Sequence, residues 1–136
     1  MKKLLLFLFS FGLLISTSVT AEIVLYCNAE LATGLMKKNG IYGIGSFKLN
    51  RYTIKFSDDY SEVKGLDSFE AAWQCKDTYH TKEYNTVVCN SVYDDGASFT
   101  YHKNTKRYVH FDGAPFGFID NGNDTNAIIA GTCQKF

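Results

Sequence analysis

Proline is nearly missing from this chain: Pro115 is the only one in 136 residues. No Ser/Gly-rich stretch, internal repeat or long charge run stands in for it, so nothing reads as a linker or a domain boundary. Charge of one sign is missing too. If residues 1–21 are set aside for the reason given below, 12 basic side chains remain against 14 acidic ones. That balance excludes a nucleic-acid binder, which needs a dense positive surface. No second apolar run of bilayer length follows Ile15, which excludes a membrane span in the mature chain. Two catalytic signatures are missing as well: there is no G-x-S-x-G and no His-Glu pair.

What the chain does have begins at its first residues. Met1-Lys2-Lys3 leads into an apolar run from Leu4 to Ile15 and then into small residues ending Val19-Thr20-Ala21. This is the order of a Sec-type signal peptide over residues 1–21, with a core too short to span a bilayer. The residues before Cys27 form no lipobox, so no lipid anchor is expected there. The remaining segment, 22–136, has the size of one domain. Delivery to the periplasm or the cell exterior places Cys27, Cys75, Cys89 and Cys133 in an oxidising compartment, where an even count reads as two disulfides. Of three possible connectivities, Cys27 with Cys133 and Cys75 with Cys89 is preferred, because the first joins the terminal strands and the second closes a short loop.

Between those cysteines lie short aromatic or β-branched segments separated by turn signals. Glu22 to Cys27 reads as a first strand, and Ala32 to Met36 and Ile41 to Leu49 flank Lys37-Lys38-Asn39-Gly40. Arg51 to Phe56 alternates cleanly, with Tyr52, Ile54 and Phe56 on one face and charged or polar residues on the other. Thr86 to Tyr93, Ala97 to His102 and Lys106 to Phe111 form a meander through Asp95-Gly96 and Asn104-Thr105, and Ala127 to Cys133 is the last strand. Only Asp67 to Gln74 offers a helical alternative, and it is too short to be more than one turn or a strand. The expected fold is all-β: a small antiparallel barrel or sandwich, a meander stapled by two disulfides. Pairing of its first and last strands would remove the exposed edges.

The stretch Asp120-Asn121-Gly122-Asn123-Asp124 superficially suggests a calcium loop. An EF-hand loop needs oxygen ligands at alternating positions, a later glycine and a distal bidentate Glu; here Gly122 comes too early, and Gly131 stands where the Glu belongs. A bend with Asn121 and Gly122 both in left-handed positions accounts for the composition. Zinc is also not expected. With Asn104-Thr105 as a two-residue turn, Tyr101 opposes Tyr108, Phe99 opposes His110 and His102 opposes Arg107, so His102 and His110 point to opposite faces. No metal, cofactor or catalytic residue is expected. The carboxylate pairs Asp58-Asp59 and Asp94-Asp95 fall in predicted turns.

Carried through Asp95-Gly96, the same register puts Val88, Asn90, Val92, Phe99, Tyr101, Tyr108 and His110 on one face. These side chains form either a core or the wall of a ligand cavity, with Asn90, Phe99, Tyr101, Tyr108 and His110 as the candidate contacts. An eight-stranded barrel has room for about one small ligand. Aromatic content favours burial of this kind, since 18 of the 115 residues after Ala21 are Phe, Tyr or Trp.

Several segments, among them Tyr26-Cys27, Ala32-Thr33-Gly34-Leu35, Arg51-Tyr52-Thr53-Ile54 and Gly131-Thr132-Cys133-Gln134-Lys135-Phe136, resemble small secreted proteins of marine bacteria. That resemblance implies no function. Tyr26-Cys27, together with Gly96-Ala97-Ser98-Phe99-Thr100-Tyr101, is loosely similar to the periplasmic inhibitors of C-type lysozyme. This second likeness implies a barrel with Ser98 and Tyr101 as contact residues. The expected function is therefore a monomeric, secreted or periplasmic, non-catalytic binding protein for a small ligand. The alternative is an inhibitor or interaction module that meets an envelope or extracellular protein through hairpin tips, Asp94-Asp95-Gly96 or Lys103-Asn104-Thr105-Lys106.

Overall fold

The computed structural model describes residues 21–66, 72–78, 85–93, 95–112, 116–119, 121–123 and 125–135. Among the described residues nine strands make one antiparallel sheet: β1 (Ile23–Lys38), β2 (Ile41–Ser46), β3 (Arg51–Phe56), β4 (Glu62–Lys64), β5 (Trp73–Thr78), β6 (Thr86–Ser91), β7 (Ser98–His102), β8 (Arg107–Asp112) and β9 (Asn126–Lys135). One helical turn, α1 (Phe116–Ile119), precedes β9. The hydrogen-bonded order is β2-β1-β3-β4-β5-β6-β7-β8-β9, and β1 also pairs with β9. Eight strands therefore close into a barrel, and β2 stands outside the ring. Of Asp67 to Gln74, open between one helical turn and a strand, Trp73 and Gln74 are strand; residues 67–71 lie outside the described residues, as do residues 1–20.

The two N-terminal segments that read as separate strands form one strand of 16 residues. Its lower half pairs with β3, from Ile23 opposite Phe56 to Asn28 opposite Arg51, and its upper half pairs with β2, from Thr33 opposite Ser46 to Lys38 opposite Ile41. At the tip, Asn39 (φ 54°) and Gly40 (φ 80°) take the two left-handed positions of the tight hairpin turn that matches strand twist. Midway along β1 a bulge lets Glu30 slip between Ala29, opposite Gly131, and Leu31, opposite Ala130. The two strands run very close here: a Cβ on Gly131 would lie 2.0 Å from the Asn28 carbonyl oxygen.

Both disulfides join directly opposed residues, Cys27 with Cys133 across β1 and β9 and Cys75 with Cys89 across β5 and β6. The first therefore fastens the seam at which the barrel closes. Inside the ring, Leu25, Ile54, Phe56, Val63, Trp73, Val87, Phe99, Tyr101 and Tyr108 pack with the four cysteines into one core. A lumen of eight strands is just wide enough for side chains to fill, and here large aromatics fill it.

One register expectation is corrected. A two-residue turn at Asp95-Gly96 would set Asn90 opposite Tyr101, but Asn90 opposes Ser98 and Val87 opposes Tyr101. Gly96 does take a left-handed φ of 75°, but within a longer connection closed by the Ser91 N–H to the Ala97 carbonyl at 3.1 Å. That odd shift turns every β6 side chain over. Val87 and Cys89 point inward, and Val88 and Asn90 outward. The β7 to β8 register is as expected, with Tyr101 opposite Tyr108 and Phe99 opposite His110.

Candidate functional site

Four of the five candidate contact residues meet in the lumen. Phe99 stacks on Tyr108 with ring centroids 5.5 Å apart and meets His110 edge-on at 5.9 Å. Tyr101 stacks on Phe56 at 5.9 Å, Trp73 meets His110 at 5.8 Å and Tyr52 meets Tyr108 at 5.7 Å. Exposure of 0% for Phe99, 1% for Tyr101, 2% for Tyr108 and 3% for His110 means that solvent reaches none of them. Burial raises the phenol of Tyr108 above the ordinary tyrosine value, and burial followed by the nearby Tyr60 pushes Tyr101 up to about 12. Neutral phenols in an aromatic stack are a core arrangement. Asn90, the fifth residue, is exposed on the opposite face of the sheet.

The hairpin tips and turns spend their polar groups on the chain itself. Lys103 reaches Asp77 at 2.6 Å and sits 4.5 Å above the Tyr60 ring. Asp95 accepts the Ala97 N–H at 2.9 Å; Asp94 lies outside the described residues. Asp59 accepts the Ser57 hydroxyl at 2.7 Å and the Ser61 N–H at 3.0 Å, and its bonds to Ser61 and then Ser57 hold its carboxyl at about 2. Such a group is a turn-former, since a general acid needs a raised pKa. Ser98 and Tyr101 fall on opposite faces of β7, and the buried Tyr101 offers no contact surface.

At the bend after α1, Asn121 takes the left-handed position (φ 59°). Its neighbour Gly122 was the other expected left-handed residue, and among the described residues it is not one of them. The Lys37 ammonium binds the Asn121 carbonyl at 2.7 Å, the Asn121 side-chain oxygen at 3.0 Å and the Gly122 carbonyl at 3.1 Å. A cation of the chain itself thus gathers these oxygens. Asp120 and Asp124 lie outside the described residues.

A concavity built from described residues lies on the outside of the barrel, a groove of about 430 Å³. β8 supplies its floor through Val109 and Arg107, and β6 and β7 supply Thr86, Thr100 and His102 along one side. The other side is the seam, where Ala130 and the bulged Glu30 and Leu31 face outward. Leu31 is 68% exposed and Val109 49% exposed, so the apolar floor is open to solvent. The Arg107 guanidinium and the His102 imidazole, whose Nδ1 accepts the Thr105 N–H at 3.2 Å, sit at its lower end. Across it, Glu30 accepts the Thr132 hydroxyl at 2.8 Å. The wall can hold an apolar body and pair an anionic group with Arg107. These residues come from outward positions of β1, β6, β7, β8 and β9, and only one signal bears on them in sequence: the interrupted alternation at Glu30-Leu31, where two consecutive side chains face out. No protein-family model matches this chain, and no curated protein or solved structure does.

Proposed function

We propose that the protein is a non-catalytic binding module that works in the periplasm or outside the cell and takes its ligand on the outer wall of the barrel. One observation carries this reading: the lumen is filled by Phe56, Phe99, Tyr101, Tyr108 and His110, while the open groove over β8 keeps an exposed apolar floor. Its volume falls in the range of small-molecule sites, about 300 to 1,000 Å³. The ligand suited to it has an apolar body laid on Leu31, Val109 and Ala130 and an anionic group turned toward Arg107 and His102. The disulfides fit an oxidising compartment.

The dye 1-anilinonaphthalene-8-sulfonate has this chemistry and serves as a probe. Fluorescence titration of the mature protein is expected to show saturable binding at one site. Val109→Asp with Arg107→Glu should weaken it at least tenfold, whereas Tyr93→Ser, on an exposed aromatic outside the groove, should leave it unchanged. No saturable binding, or binding indifferent to the double change, would overturn the proposal.

A further inference from the structure

Barrel closure leaves every strand of the ring paired on both sides, and β2 is the exception, bonded to β1 alone among the described residues. Two bonds fix the phase of that ladder. The Phe47 N–H donates to the Ala32 carbonyl at 3.1 Å, and the Thr33 hydroxyl donates to the Gly45 carbonyl at 3.0 Å. Antiparallel ladders alternate, so Gly45 and Gly43 bond toward β1 while Ile44 and Ser46 turn their N–H and C=O groups outward.

Such an edge is normally blunted by lysine, proline or a bulge. Ile41-Tyr42-Gly43-Ile44-Gly45-Ser46 contains no charge and no proline, and its register with β1 runs without a shift. Ile44 is 87% exposed and Ile41 74% exposed. An added Cβ at Gly43 would meet nothing within 4 Å, so the sheet face beside this edge is open. We infer that β2 pairs antiparallel with β2 of a second copy of this chain, about a two-fold axis through Ile44.

The symmetry suits the sequence. Ile44 meets its own counterpart, Ser46 meets the counterpart of Tyr42, and Lys48 meets the counterpart of Gly40, so no like charges come together. A foreign strand would gain the same backbone bonds without this match. The inference is independent of the groove, which lies on β6 to β9 and the seam. It replaces the monomer expected from sequence with a two-fold dimer that continues the sheet from one barrel to the next. The ladder is short, so the interface is of the small, weak class.

Sedimentation equilibrium of the mature protein from about 1 to about 500 µM tests this, since weak dimers fall in that range. Reversible dimerisation is expected for the wild type. Ile44→Lys, which sets two ammonium groups opposite each other, and Ser46→Pro, which removes an outward N–H and no bond to β1, should each weaken it at least tenfold. Val109→Lys, on the groove floor, should leave it intact, and circular dichroism should show the barrel kept in all three. A wild type monomeric throughout, a dimer that survives either edge change, or one lost equally with Val109→Lys, would overturn the inference.

Discussion

Tyr101 shows how much of this barrel depends on keeping charge out of its lumen. Its ring lies against Phe56 and its phenol is pushed up to about 12 by burial and by Tyr60, against an ordinary 10.0. The folded state therefore holds its proton more tightly than the unfolded chain does. That contribution is fully present below pH 10 and is lost as pH rises toward 12. Burial raises Tyr60 and Tyr108 in the same direction. The melting temperature is accordingly expected to hold up to about pH 10 and then fall steeply, with phenolate absorbance and loss of β-sheet signal appearing together. Tyr101→Phe should flatten that alkaline fall. If the variant and the wild type lose stability in parallel, Tyr101 is not a group that couples the fold to pH.

The seam between β1 and β9 is the element most sensitive to a single methyl group. At Gly131 the backbones approach so closely that a Cβ would meet Asn28 and Ala29. Gly131→Val should force the strands apart and cost on the order of 3 kcal/mol or more in urea denaturation, in the range reserved for overpacking and backbone disruption. Much of the architecture at this scale could be read from the chain: the alternation in Arg51 to Phe56, the β7 to β8 register and the cysteine pairing are all as expected. Three features could not. β1 read as two strands because the bulge puts Glu30 and Leu31 outward in succession, which breaks the period of two. β4 has three residues, too few for any period, and β5 (WQCKDT) alternates only weakly. Asn90 reads as inward on a two-residue turn, but it opposes Ser98 instead of Tyr101, and an odd shift of register inverts a whole strand. Cys89 held the missed clue, since a cysteine bridged to Cys75 belongs on the buried face. The groove had no comparable signal, being assembled from outward positions on five strands.

At the scale of the whole molecule, the two disulfides do different amounts of work. Cys27–Cys133 spans 106 residues and Cys75–Cys89 spans 14. If bridges act mainly by restricting the unfolded chain, removing the first as a paired Cys→Ala change should cost about 4 to 5 kcal/mol and removing the second about 3 kcal/mol. Urea denaturation of both double variants checks the order, and a larger loss at Cys75 and Cys89 would show that native packing outweighs loop length.

The seam also sets a clock on biosynthesis. β1 waits for β9, its partner at the far end of the chain, so no amount of early folding can close the ring. β1 can pair with β2 and β3 as soon as they are made, but a ribosome must add the 106 residues from Cys27 to Cys133 before it meets its last neighbour. Once the last strand arrives, sheet pairing and one sulfur bond fasten together the two strands that emerged furthest apart in time.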